Sequence, residues 1–171
     1  RSHSTGTFLR TRSKSSMVHS TSAACAMARK CSTALVEPPV AMITATAGTP
    51  CIPLARIAAN EPWLAKAPMD IGALGINFPM ICSREDAEQA VRSVRYPPRG
   101  DRLWGPFHAP FRWGVSMPDY MATADDDMIC MITIEHVDAV ERIDEIMATP
   151  GIDIAVIGPG DTIVLPEHTE P

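Results

Sequence analysis

Nowhere in the 171 residues is there an unbroken apolar run of the ~18 residues that a membrane-spanning helix requires, so no segment is a candidate for one. Paired cysteines are missing as well. Cys25, Cys31, Cys51, Cys82 and Cys130 are odd in number and form no CxxC. A disulfide framework or a cysteine zinc site is therefore not indicated, and reduced, mostly structural thiols in a cytoplasm-like compartment are expected. Residues 1–36 contain no acid at all, only the six bases Arg1, Arg10, Arg12, Lys14, Arg29 and Lys30. The other 135 residues carry nine bases and all 20 acids, which argues against a nucleic-acid surface.

What is there divides into two textures. Residues 1–38 are rich in Ser, Thr and Arg and have no sustained apolar period, so they are expected to be a disordered or atypical basic segment. The same composition fits an organellar transit peptide, which would make the location mitochondrial; a flexible tail or a non-native extension is the plainer alternative. Residues 39–171 alternate short helical and strand-like units. Helix signals cover 40–48, 62–73 with Pro68 inside to kink or shorten it, 83–95 capped by Ser83, 116–124, and 137–147 with Val137, Val140, Ile143 and Met147 on one face. Strand signals cover 51–57, 74–80, 128–134 and 152–157, and residues 96–114 read as a long Pro/Gly/aromatic loop of functional length. Such alternation implies parallel strands with helical crossovers.

In a parallel sheet, residues just past different strands share one face, where α/β active sites are built. Glu135 and Asp161 each follow such a strand, and Arg56 and Pro79-Met80 fall at the same ends. Two converging carboxylates invite a hard divalent cation held by oxygen. Read as ordinary loop acids, Glu135 would pair with a surface base and Asp161 would cap a helix.

The segments PLARIAANEPWLAKAPMDIGALGINFPM, VRYPPRG, RWG, DYMATADDDMICMITIE and GIDIAVIGPGD, in that order, resemble the HpcH/HpaI aldolases over about residues 41–161. The resemblance implies a (β/α)8 TIM-barrel fold, here incomplete with about five to six βα units. It also implies a metal-dependent aldolase, a lyase that cleaves or forms the C–C bond of 4-hydroxy-2-oxo acids to give pyruvate or a related 2-oxo acid plus an aldehyde. Mg²⁺ or Mn²⁺, with Co²⁺ as a further choice, would be ligated by Glu135 and Asp161. Arg56 would be catalytic and substrate-binding, stabilising the enolate oxygen, and Thr133, Gly160 and Asp161 would border the substrate. His108 and Arg112, in the long loop, are further candidates for substrate contact. A homo-oligomer in the cytoplasm acting on small 2-oxo acids and aldehydes is expected, with neither nucleic acid nor membrane as partner.

Three departures accompany the resemblance. The family's Glu-His pair before its arginine has no counterpart before Arg56, Thr133 stands where the family usually has Gln, and the residues after Asp161 differ from the expected helix opening. They raise two alternatives: a truncated, non-catalytic member retaining part of the metal site, and a related acyl-CoA ester lyase.

Overall fold

The structure is a computed structural model that describes residues 39–159; expectations for residues 1–38 and for Gly160 and Asp161 lie outside the described residues. Its elements run α1 (Pro39–Ala45), β1 (Leu54–Arg56), α2 (Pro62–Asp70), β2 (Gly75–Phe78), α3 (Arg84–Ser93), α4 (Ala109–Trp113), α5 (Met117–Asp127), β3 (Ile129–Ile134), α6 (Val137–Glu141), α7 (Ile143–Met147) and β4 (Ile154–Ile157).

The four strands form one sheet in the order β1-β2-β3-β4, every neighbouring pair parallel. Spatial order that follows chain order, with no reversal, is barrel winding; a doubly wound sheet reverses at its switch point. One side of the sheet faces the helices. There Ile76 and Phe78 from β2 and Cys130, Ile132 and Ile134 from β3 are buried with Ala65 and Met69 of α2 and Ala87 and Ala90 of α3. The small residues on α2 and α3 bring those helices close to the large side chains of the strands, and this apolar layer is the main source of stability.

The opposite side is a barrel lumen seen in part. Leu54, Gly75 and Ile129 neighbour one another at its lower end, and a β-carbon on Gly75 would fall 2.5 Å from Leu54 Cδ2. Leu54 is 45% exposed, and Ile129, Met131, Ile154 and Val156 are only half-buried. This apolar face is therefore only partly covered among the described residues.

Helix starts follow their sequence signals. Ser83 and Ser116 accept hydrogen bonds from the Asp86 and Asp119 backbone N–H groups, capping α3 and α5, and Pro62 occupies the first turn of α2. α2 ends at Asp70, two residues past Pro68 and short of the expected 73. Two expectations are corrected. The long loop contains α4, closed by Gly114 in the left-handed conformation (φ 66°). Residues 137–147 form two short helices broken at Arg142, and the inward positions belong to Ala139 and Ile146. Val137, Val140 and Met147 are 45%, 51% and 42% exposed, and only Ile143 of the expected face packs against the core. The inward residues Ala139, Ile143 and Ile146 are spaced i, i+4 and i+7, a stripe offset from the expected one, which turns Val137, Val140 and Met147 outward.

A second small core forms from Tyr96, Ala109, Tyr120 and Ala124, outside the barrel layer. Arg102, its side chain fully buried, lies 4.4 Å over the Tyr96 ring and donates to the Tyr120 hydroxyl at 3.1 Å. This cluster gives residues 96–124 their own anchor.

Candidate active site

Parallel winding brings the ends of β1, β2 and β3 and the start of the β4 turn to one edge. Glu135 is the first residue past β3 and is 4% exposed. Its Oε1 accepts the Met80 backbone N–H at 2.9 Å, and its Oε2 stands 3.5 Å from Arg56 Nη2. The second distance is an ion-pair approach, longer than a well-formed hydrogen bond, so one carboxylate oxygen is firmly held and the other is only loosely engaged. Arg56 remains half-exposed, its side chain 47% accessible, which leaves guanidinium N–H groups available to an anion in the lumen.

Met80 reaches Glu135 through a left-handed backbone, φ 52°, which is costly for a residue with a β-carbon. It turns the chain just past Pro79 so that its N–H points back across the strand end. Gly158, the first residue past β4, donates its N–H to the Ile134 carbonyl at 2.9 Å. A β-carbon there would stand 3.2 Å from Glu135 Cβ and 3.6 Å from Glu135 Oε2. The glycine thus keeps the space beside the looser carboxylate oxygen open.

Thr133 lies on the lumen side of β3, 4% exposed, and donates its hydroxyl to Asn77 Oδ1 at 2.9 Å. Arg56 and Asn77 are register partners, so Arg56, Asn77, Thr133 and Glu135 make one polar patch at the mouth of an otherwise apolar lumen. The structure therefore brings Arg56, Thr133 and Glu135 together as the sequence indicated. Asn77 and Gly158 were not singled out there. Asn77 had a signal, since it is the polar residue in the apolar strand Gly75–Phe78.

Arg112 is placed elsewhere. Its guanidinium donates to the Ile43 carbonyl at 2.5 Å and to the Thr46 hydroxyl, and its side chain covers Gly72, ahead of the start of β2. That is the strand-start edge, opposite Glu135, and burial lowers the Arg112 pKa. Arg112 ties α4 to the end of α1 and does not meet the polar patch. His108, exposed and immediately before α4, is carried to the same edge. Neither residue reaches Glu135 within one chain.

Cys82 and Cys130 are not poised as nucleophiles. Burial, with Asp86 and other nearby acids adding to it, raises the Cys82 pKa, and burial pushes the Cys130 thiol up to about 12. His136 uses Nδ1 to accept the Asp138 backbone N–H at 3.2 Å, capping α6. A cavity of about 270 Å³ lies between α2, α3 and Leu103, with no strand-end residue in its lining.

The donor set suits a hard divalent cation in part. Glu135 offers an oxygen with open space beside it; the second expected ligand, Asp161, is outside the described residues, and among those described no group of three His, Cys, Asp or Glu clusters for a metal.

A singly wound parallel sheet with a buried carboxylate and an arginine at its C-terminal edge is the arrangement of a TIM-barrel-type fold, whose active sites lie at that edge. The comparisons with known proteins name the class. The chain belongs to the HpcH/HpaI aldolase/citrate lyase family, whose pattern it matches over residues 16–166. It is 40% identical over 109 residues to a hydroxypyruvate/pyruvate aldolase of Roseovarius nubinhibens, covering 64% of this chain and 42% of that protein. It is 38% identical over 109 residues to a 2-dehydro-3,6-dideoxy-6-sulfogluconate aldolase of Pseudomonas putida, with the same shares of 64% and 42%. Among solved structures, an HpcH/HpaI aldolase/citrate lyase family protein of Burkholderia cenocepacia superposes with a TM-score of 0.63 at 32% identity, covering 75% of this chain and 56% of that one. The chain thus spans about half the length of the curated relatives it matches.

Proposed function

We propose that this chain serves as a divalent-metal-dependent aldolase that forms or cleaves the C–C bond of 4-hydroxy-2-oxo acids, giving pyruvate or a related 2-oxo acid and an aldehyde. The observation that carries the reading is the buried Glu135 carboxylate, held by the Met80 N–H at the strand ends beside a half-exposed Arg56. The relatives' names, hydroxypyruvate/pyruvate aldolase and 5-keto-4-deoxy-D-glucarate aldolase among them, support the substrate class.

In this reading Glu135 and Asp161 hold Mg²⁺ or Mn²⁺. When bound, the ion supplies Lewis-acid polarisation of the 2-oxo acid. The remaining work falls to the protein. Arg56, permanently charged, donates to the substrate oxygen on which negative charge develops as the C–C bond breaks and an enolate forms. The Met80 N–H fixes one Glu135 oxygen in direction, and Gly158 leaves clearance for the substrate beside it. Homo-oligomeric assembly belongs to the same proposal.

Cleavage also requires a base for the 4-hydroxyl proton. Among the described residues none meets Glu135 in a position to serve: the Cys82 and Cys130 thiols have raised pKa values, and His136 is engaged at its Nδ1 in the α6 cap. Loss of a positioned acid or base costs on the order of 10²–10⁴ in rate. Slow pyruvate release is therefore expected from 4-hydroxy-2-oxo acids in a coupled assay with Mg²⁺, Mn²⁺ or Co²⁺, at rates abolished by Arg56→Ala. This lack of a base also favours a second reading, a non-catalytic family member that retains part of the metal site. Metal-dependent turnover above the Arg56→Ala background supports the aldolase; turnover indistinguishable from that background supports the second reading.

A further inference from the structure

The amide of Asn77 is an unassigned feature of the polar patch. The rest of the β2 strand, Gly75, Ile76 and Phe78, is apolar or without a side chain, and Asn77 stands on the lumen side because Arg56 is its register partner on β1. Below it the lumen is lined by Leu54 and Ile129, and Met131 is the register partner of Asn77 on β3, so Asn77 and Arg56 form the innermost layer of the patch.

Its orientation is set by Thr133. The Thr133 hydroxyl donates to Asn77 Oδ1 at 2.9 Å from within a buried site, and a β-branched side chain has little rotamer freedom with which to release it. With Oδ1 engaged, the Nδ2 amino group is turned the other way, and among the described residues it has no hydrogen-bond partner. A half-buried NH₂ without a partner, on the strand beside Arg56, calls for an oxygen acceptor from outside the chain.

We infer that Asn77 is a substrate-binding residue whose Nδ2 amide donates to an oxygen of the 2-oxo acid, and that Thr133 is the positioning residue that aims it. The inference rests on the proposed aldolase reading for the identity of the ligand. It also gives physical content to one departure noted in the sequence: where the family usually carries Gln, this chain has Thr133, too short to reach the substrate with an amide. The amide is supplied from the adjacent strand and held there by the shorter side chain.

The test uses the full chain. Asn60 and Asn77 are the two asparagines of the sequence, so selective ¹⁵N-asparagine labelling gives two side-chain NH₂ pairs, with Asn60, which donates to the Asp86 carbonyl at 2.9 Å, as an internal control. Oxalate, added with Mg²⁺ as a stable mimic of the 2-oxo acid, is expected to shift the Asn77 pair and leave the Asn60 pair in place. Asn77→Leu should weaken oxalate binding by about tenfold, the loss of one hydrogen bond to a charged acceptor, and Thr133→Val by a smaller factor. The double variant Asn77→Leu, Thr133→Gln, which moves the amide back to β3, should recover most of the affinity. Oxalate binding by the wild type with an unmoved Asn77 pair, or with Asn77→Leu binding as tightly, overturns the role of Asn77 and leaves the aldolase reading standing. A wild type that binds no oxalate overturns both.

Discussion

Met80 shows at the scale of one residue how the site is built against local preference. A left-handed backbone costs a residue with a β-carbon roughly 1–2 kcal/mol, yet here it aims one N–H at Glu135. Met80→Gly keeps that N–H and removes the strain, and is expected to raise stability by about 1 kcal/mol in a urea titration. A clear loss would show that the half-exposed side chain matters more than the backbone. Two other residues set the alkaline limit. Burial raises the Cys130 thiol from 9.0 to about 12 and the Tyr96 phenol from 10.0 to about 12. Both stay protonated in the folded chain at pH values where the unfolded chain releases the proton. Stability should therefore fall as pH rises, from about 9 for Cys130 and about 10 for Tyr96, by up to about 1.4 kcal/mol per pH unit for each group. Urea midpoints between pH 8 and 11 check this, and Cys130→Ala should remove the part that begins near pH 9.

Elements were legible where their signals were local. Ser83 and Ser116 mark helix starts, and the four strands fall inside the apolar runs expected of them, shortened at their ends. The break at Arg142 was not legible, because the apolar spacing of residues 137–147 also fits one continuous helix, and the small Ala139 hid the inward face it shares with Ile143 and Ile146 behind the larger Val137 and Val140. The clamp at the strand-start edge was likewise hidden, since it joins residues far apart in the chain. Arg95, 6% exposed, donates to the Met128 carbonyl at 3.0 Å and lies 3.5 Å from Asp153, which also accepts the Cys130 N–H at 2.9 Å. Asp153→Ala leaves a buried guanidinium without its counter-charge and frees the start of β3. It is expected to cost about 3 kcal/mol in equilibrium unfolding. Arg84→Ala, in an exposed pair on α3, should change little.

Across the whole molecule, strand direction is what converts residues distant in sequence into a site. Arg56 and Glu135 are 79 positions apart and meet because β1 and β3 flank β2 in a parallel sheet. That consequence of α/β alternation is readable in the sequence, and so is the edge on which the site lies. The part played by Asn77 was not, because hydrogen bonding between side chains of adjacent strands depends on register, which the sequence of either strand leaves open. The half-covered lumen, with Leu54 and Met131 facing it, shows the described sheet to be one part of a barrel wall, and the polar patch at its rim is the feature that any function of this wall must use. The most direct measurement of that claim is Mn²⁺ titration followed by water-proton relaxation, with and without oxalate, on the wild type, Glu135→Gln and Asp161→Asn. The wild type should bind Mn²⁺ modestly and more tightly with oxalate, and each variant should bind at least about tenfold more weakly with its thermal unfolding unchanged, as expected when one of few charged ligands is lost. Equal Mn²⁺ affinity in all three proteins would contradict a metal site at these strand ends.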